Sequence, residues 1–366
     1  MEYRVNRRTG DKISAIGLGT GYIAESSEKE ATEALIYAYE HGINFADLAT
    51  AGAKTFSYYA AALGSVRKEM YYQVHFGANY ETGEYGWTTD LETIKRQIDW
   101  QLRTLDTNYI DYGFIHCLDE FSDWNSYQEN GVLQYLLDMK KQEVVRHIGL
   151  STHTPSLANR VLDTGLVDQL MFSINPGYDY QHGAYANGSA EERMALYRRC
   201  ERDGVGISVM KPFSAGQLLD AATSPFHREL SQYQCIQYAL DKPGVLTVLP
   251  GIRNLRDVKH LLGFFDATQE DRDYSALASY APAEMSGTCV YCNHCQPCPA
   301  GLNVGLLNKY YDLARSGDTM AAVHYQNLEL HADSCIQCGH CESRCPFHVQ
   351  QMARMKEIDS FFTDKK

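Results

Sequence analysis

Between residues 13 and 265, short apolar runs alternate with longer segments whose apolar positions recur every three or four residues. The short runs predict strands at 13–17, 43–47, 70–75, 110–116, 145–151, 169–174, 206–210 and 245–250. The longer segments predict helices at 28–40, 55–63, 89–105, 132–141, 155–164, 190–203, 232–241 and 255–264. This alternation implies a parallel sheet, because parallel neighbours need a crossover between them. Spread over about 250 residues, it matches the scale of a (β/α)8 TIM barrel. A doubly wound open sheet is the alternative. That fold wants a G-x-G-x-x-G turn after its first strand, and Gly17-Leu18-Gly19-Thr20-Gly21 does not complete one.

The alternation ends in a polar stretch at 265–282. The expected division is a barrel over 1–270 and a small helical domain over 283–366, with helices at 304–316, 321–330 and from 348 onward. Cysteines mark this tail. Cys289, Cys292, Cys295 and Cys298 form one run closed by Pro299, and Cys335, Cys338, Cys341 and Cys345 form another closed by Pro346. The second run has the bacterial ferredoxin spacing, in which three thiolates hold one [4Fe-4S] cluster and the fourth reaches the other. The first run is one residue shorter before its last Cys. On this pattern Cys289, Cys292, Cys295 and Cys345 hold one cluster, and Cys335, Cys338, Cys341 and Cys298 hold the second. Zinc is the competing reading, since paired C-x2-C motifs also close tetrahedral sites, but it does not call for two runs of four ending in Pro. A disulfide framework needs an oxidising compartment, and the polar start at 2–12 offers no apolar signal segment.

Composition narrows the classes further. A formal net charge of -13 with no basic cluster argues against nucleic-acid binding. No uninterrupted apolar stretch reaches membrane-spanning length. The expectation is a cytoplasmic protein without nucleic-acid or membrane partners. The 26 Tyr suit barrel packing or the lining of its mouth.

Active sites of parallel barrels lie at the C-terminal ends of the strands. Asp47, His75, His116, His153, Asn175 and Lys211 all fall at or just past predicted strand ends, with Cys117, Asp119, Ser151 and Arg253 beside them. Convergent His, Asp and Lys side chains suit proton transfer to or from a small molecule. Each taken alone also reads as a satisfied structural residue. Cys200 and Cys235 sit in helical segments and read as small buried apolar residues. Tyr85, Trp87, Tyr178, Tyr180 and Tyr185 fall in loops, where they would stack on a substrate ring or close the mouth.

These positions carry a resemblance to the aldo-keto reductases. The matching pieces are Gly17-Leu18-Gly19-Thr20, Asn44 to Ala49, Ile110-Asp111-Tyr112 through His116, Ile148 to Ser151, Ile174-Asn175-Pro176 and Pro250-Gly251. Met210-Lys211-Pro212-Phe213-Ser214-Ala215-Gly216 resembles the branch with a C-terminal ferredoxin-like domain. The resemblance implies carbonyl reduction by an Asp, Tyr, Lys and His tetrad with NADPH. Asp47 and His116 match the Asp and the His. Gly52 stands where the Tyr is expected, and His75 where the Lys is expected. Tyr58 and Tyr59 lie in the next helix, facing away. The cofactor positions implied are Gly19, Thr20, Ser151, His153, Asn175, Met210 and Arg253. Several of the family's nicotinamide contacts are missing, for Met210 replaces the stacking aromatic and Leu261 an adenine-side Asn.

The leading expectation is therefore an iron–sulfur oxidoreductase acting on a small polar carbonyl or polyol. His116 and His75 would handle protons, Asp47 would orient one of them, and Lys211 would supply electrostatic stabilisation. A ferredoxin or flavodoxin would suit as redox partner. Three readings compete: an NADP(H)-dependent carbonyl reductase with an atypical tetrad, a non-redox lyase or isomerase with structural clusters, and an electron-transfer subunit with a non-catalytic barrel.

Overall fold

A computed structural model describes residues 1–281 and 286–363. Residue 283, the expected start of the second domain, and 364–366 at its expected end lie outside the described residues. The chain divides into two compact units. One comprises Met1–Ile174, Val205–Ala215 and Leu246–Ala267; the other comprises Asn175–Gly204, Gly216–Val245 and Thr268–Lys366. The second unit thus draws two segments from the middle of the chain as well as the tail.

In the first unit, two short antiparallel hairpins stand outside the main sheet: β1 (Tyr3–Val5) with β2 (Lys12–Ser14), and β6 (Ala78–Asn79) with β7 (Gly86–Trp87). The main sheet runs in the order β3 (Leu18–Gly19), β4 (Phe45–Asp47), β5 (Tyr71–Phe76), β8 (Ile110–Ile115), β9 (Val145–Thr152), β10 (Gln169–Ser173), β11 (Gly206–Met210) and β12 (Val245–Val248). Neighbours from β3 to β11 pair in parallel. Parallel bridges from Ile16 to Val248 and from Gly19 to Gly251 join the two ends, so the sheet closes into a (β/α)-barrel-like ring. Closure needs glycine here: a Cβ on Gly19 would lie 2.6 Å from the Leu249 carbonyl oxygen. Ile13, Phe45, Tyr112, Phe114, Met171, Met210, Leu246 and Leu249 pack together as a buried cluster.

The expected opening strand at 13–17 is not a single strand. Residues 12–14 pair with β1, and the first barrel strand begins at Leu18. The apolar run Ile13-Ser14-Ala15-Ile16 reports burial, which is complete here, but not which partner the backbone takes. The Ser14 hydroxyl donates to the Ile16 carbonyl at 2.8 Å, satisfying the chain between the two strands.

The helices of this unit are α1 (Glu28–Glu40), α2 (Lys54–Leu63), α3 (Leu91–Thr104), α4 (Phe121–Glu129), α5 (Val132–Lys141), α6 (Pro155–Leu162) and α10 (Leu255–Leu262). Their starts follow local chemistry. Ser27 and Glu30 cap α1 reciprocally, and Asp90 accepts from the Thr93 amide to start α3. Helix α4 is unanticipated by periodicity; Glu120 and Asp123 cap it.

The second unit holds α7 (Pro176–Asp179), α8 (Ala190–Asp203), α9 (Gln232–Leu240), α11 (Gln269–Arg272), α12 (Val304–Arg315), α13 (Thr319–Gln326), α14 (His340–Arg344) and α15 (Gln351–Thr363). Helix α13 ends before the expected residue 330, and α15 starts three residues after 348. Leu302, Leu307, Met355, Ile358 and Phe362 form much of its core, with Tyr325 stacked on Phe362 at 3.8 Å. Buried polar groups are paired: Asp179 accepts from Arg193 at 2.7 Å, Tyr197 at 2.7 Å and Tyr238 at 2.8 Å. Among the described residues, no helix is long and apolar enough to cross a membrane.

Candidate active site and cysteine centre

Strand β5 places Gln73 and His75 two residues apart, so both side chains leave the same face. Both meet the carboxylate that ends β4. His75 Nε2 lies 2.7 Å from Asp47 Oδ1, and Gln73 Nε2 donates to the same oxygen at 2.9 Å. Thr20, just past β3, donates its hydroxyl to the Asp47 carbonyl at 2.5 Å. His116 follows β8. Its Nδ1 lies 2.8 Å from His75 Nδ1, and its Nε2 lies 2.7 Å from the Tyr85 hydroxyl. Trp87 steadies His116 by donating from Nε1 to its carbonyl at 3.2 Å. Gly77 makes room for it, since a Cβ there would sit 3.1 Å from the His116 Cβ.

The result is one hydrogen-bonded line, Asp47–His75–His116–Tyr85. It runs from full burial (His75 is 1 % exposed) to a tyrosine that is 42 % exposed. The Nδ1···Nδ1 contact needs one proton between the two rings. With Asp47 ionised, the consistent neutral arrangement has His75 Nε2–H donating to Asp47, His116 Nδ1–H donating to His75, and Tyr85 donating to His116 Nε2. A proton added at His75 reverses the last two bonds, so that His116 Nε2–H donates to the Tyr85 oxygen. Burial, then the neighbouring His75 and His153, hold the His116 pKa well below the ordinary imidazole value. The charged form of His116 is therefore disfavoured, and the ring is held neutral.

A second line begins beyond β8 and crosses to β11. Asp119 accepts from the His153 amide at 2.6 Å and lies 2.9 Å from its Nδ1, and His153 Nε2 lies 2.8 Å from Lys211 Nζ. Cys117 and Lys211 hold left-handed backbone, with φ of 47° and 53°, although neither is glycine. Such conformations persist where surrounding structure enforces them, and they turn both residues at their strand ends. Burial lowers the Lys211 pKa. Burial also pushes the Cys117 thiol up to about 11, which keeps it protonated and unreactive. Burial would raise the Asp119 carboxyl, but the hydrogen bonds from His153 outweigh it and hold the carboxyl low. Cys117, Asp119 and His153 offer atoms within 4.8 Å of one another. With Asp119 and His153 bonded to each other and an ammonium on the second ring nitrogen, the arrangement suits a charge relay better than a cation.

The other expected site residues make the following contacts. Ser151 is buried in β9, where its carbonyl accepts from the Leu118 amide at 3.1 Å. Met210 belongs to the buried apolar cluster, its sulfur 4.0 Å from Lys211 Nζ. Arg253 is engaged within its own turn, Nε to Asp257 Oδ2 at 3.2 Å. Asn175 belongs to the second unit and caps α7 by accepting from the Tyr178 amide. The Tyr58 hydroxyl donates to the Ser26 carbonyl at 3.2 Å, and Tyr59 is fully buried. Cys200 and Cys235 are fully buried, as their helical positions imply. Sequence reasoning did not single out Gln73, or Tyr85 as the end of the first line. The alternation of polar residues at 73 and 75 within an apolar strand was a usable signal for Gln73. For Tyr85 the sequence offers only its place among the loop aromatics, because a separate hairpin delivers it to His116.

In the second unit, a small cavity is lined by Cys298, Cys335, Cys338 and Cys341 together with Leu302, Val304 and Met355. Charge interactions link Cys298 and Cys335 to Cys341, Cys345 acts on Cys292 and Cys295, and Cys341 also acts on Cys295. The spacers adopt left-handed backbone at Tyr291, Asn293, Gln337 and Gly339, with φ from 53° to 74°. Backbone amides of Tyr291 and His294 donate to the Cys289 and Cys292 sulfurs. Thiols converging on one cavity, with loops curled so that amides meet sulfur, fit a thiolate-held metal cluster.

Residues 15–233 match the sequence profile of the aldo/keto reductase family, and residues 285–349 match that of a 4Fe-4S dicluster domain. No curated protein matches the chain. Among solved structures, the fold is similar to the holo form of the aldo-keto reductase AKR11C1 from Bacillus halodurans (20 % identity, 77 % of this chain and 97 % of that one, TM-score 0.61). It is also similar to an aldo-keto reductase from Klebsiella pneumoniae in complex with NADPH (17 % identity, 76 % and 94 %, TM-score 0.53). A third similar structure is an aldo/keto reductase from Brucella melitensis (18 % identity, 75 % and 98 %, TM-score 0.52). With more than half its length matched, the chain belongs to the aldo-keto reductase family and carries a separate iron–sulfur domain of the Fer4 type later in its sequence.

Proposed function

We propose that this protein is an iron–sulfur oxidoreductase acting on a small polar carbonyl or polyol at the barrel mouth. The observation that carries the reading is the line from Asp47 through His75 and His116 to Tyr85. Its ends suit its task. Asp47 stabilises a proton loaded on His75, and Tyr85 meets the substrate oxygen, taking the part of the tyrosine absent at Gly52. Lys211, backed by His153 and Asp119, supplies positive charge beside a developing alkoxide. The two thiol sets, Cys289, Cys292, Cys295 with Cys345, and Cys335, Cys338, Cys341 with Cys298, fit two [4Fe-4S] clusters. When bound, such clusters exchange single electrons. A ferredoxin or flavodoxin is the fitting electron partner. NADPH, which the Klebsiella relative binds, is the weaker candidate here, because Arg253 is engaged by Asp257 and Met210 is buried among apolar residues.

The test is anaerobic and uses the iron-loaded full chain. The dithionite-reduced protein is mixed with a panel of small carbonyl compounds, and the oxidised protein with the matching polyols, while cluster absorbance is followed. A panel member should exchange electrons with the clusters. Tyr85→Phe and His116→Gln should slow that exchange by about a hundredfold or more, the usual worth of general acid–base catalysis. Unchanged rates in both variants would overturn the proton path. Turnover indifferent to cluster reduction would favour lyase or isomerase chemistry instead. Bleaching by NADPH would make the nicotinamide the electron source.

A further inference from the structure

Lys242, directly after α9, is 1 % exposed, and its Nζ has no hydrogen-bond partner among the described residues. A buried ammonium without a partner is costly, so its presence needs a reason. Its immediate neighbours do not satisfy it. The ammonium lies 3.6 Å from the ring centroid of Tyr238 and 5.8 Å from that of Tyr274, a cation–π seat that attracts positive charge without giving it an acceptor. The carboxylates of Asp179 and Asp241 are the first charges that act on it, yet neither accepts a hydrogen bond from its ammonium. Asp179 accepts from Arg193, Tyr197 and Tyr238, and Asp241 accepts from Gln237 at 2.7 Å and Tyr274 at 2.8 Å. After those two carboxylates, the charges that act on Lys242 are those of the Cys292 and Cys289 sulfurs. The same Cys292 acts on the walls of the seat, Tyr274 and Tyr180. All of these residues lie in the second unit.

We propose that Lys242 is the counter-charge of the cluster held by Cys289, Cys292, Cys295 and Cys345, and that it raises that cluster's reduction potential relative to the cluster held by Cys298, Cys335, Cys338 and Cys341. This rests on the two-cluster reading above. Reduction adds one electron and hence one negative charge to a thiolate-held cluster. A fixed positive charge in a low-dielectric surround favours the more negative form, so it shifts the one-electron equilibrium toward reduction. With one cluster so biased, the pair is ordered in potential and an electron settles first on the Cys289 set.

The experiment is an anaerobic redox titration of the iron-loaded full chain, monitored by electron paramagnetic resonance, on the natural protein and on Lys242→Met and Lys242→Arg. Iron and sulfide content with two distinct reduced signals in the natural protein tests the two-cluster reading itself; a single cluster would overturn that reading and this proposal with it. Given two clusters, Lys242→Met should lower the reduction equilibrium constant of one by tenfold or more, a shift of about 59 mV to more negative potential, and leave the other unmoved. Lys242→Arg should retain the natural values. Met matches the stem of Lys and removes a buried charge, a change that is commonly neutral or stabilising; Lys242→Leu serves as the second apolar variant. Both apolar variants keeping both potentials, at natural iron content, would overturn the role of Lys242. A merely structural Lys242 would alter stability without moving one potential selectively.

Discussion

Acidification tests the state of His116 directly. The ring is 4 % exposed, and its two nitrogens are committed to His75 and Tyr85. Burial first, and then the charges of His75 and His153, hold its pKa well below the ordinary value of about 6.5. In the unfolded chain the ring takes up a proton as pH falls through about 6.5, whereas in the folded chain it does not. Below that pH the unfolded state therefore binds more protons, and stability falls as pH falls. The full slope for one group is about 1.4 kcal/mol per pH unit. Between pH 6.5 and 5.5, His116 alone should remove up to about 1.4 kcal/mol, and above 6.5 its contribution is constant. The assay compares urea unfolding of the natural protein with that of His116→Gln at pH 7.5 and 5.5. The Gln variant cannot titrate, so the stability difference between the two proteins should move by about that amount in its favour at the lower pH. In parallel, the ring nitrogens of histidine-labelled protein should show His116 neutral at pH 6. A resonance of His116 titrating near 6.5, or a stability difference that is the same at both pH values, would refute the reasoning.

Three further outcomes are expected. Asp111 is 1 % exposed and accepts from Arg67 at 2.7 Å, the Tyr72 amide at 2.9 Å and Arg146 at 3.0 Å, so Asp111→Ala strands a buried guanidinium and should cost about 3–5 kcal/mol in a urea titration. A change of less than about 1 kcal/mol would show that Arg67 finds other partners. Gly77 holds φ of 139° and faces His116 and the Thr88 carbonyl, so Gly77→Ala should cost about 1–3 kcal/mol and displace the His116 ring, visible as altered ring resonances. Cys298→Ser should lower iron content toward that of one cluster and spare the signal of the Cys345 set, with Cys345→Ser doing the reverse; loss of the same signal in both variants would contradict the crossed ligand sets.

Much of this protein was written in local pattern. The helices at 28–40, 132–141 and 190–203 fall where periodicity puts them, and a Ser three residues before a Glu caps the first and the last within one turn. The cysteine runs and the strand-end placement of Asp47, His75 and His116 were likewise legible, since ligand spacing and barrel polarity are properties of the chain order. Three-dimensional closure decided the rest. Apolar residues 13–16 could not reveal that the backbone changes partners inside the run, because burial is the same either way. Tyr85 reaches His116 only because the hairpin of β6 and β7 folds over the strand ends, and no spacing encodes that distance. Lys242 reads in sequence as an ordinary solvated cation after a helix. The tyrosines around it arrive from separate segments of the second unit, and their packing is what strips its water and leaves its ammonium without a hydrogen-bond partner among the described residues. Residue type and order fixed the available chemistry, whereas desolvation and partner choice depend on contacts between distant segments and arise only when the chain is folded.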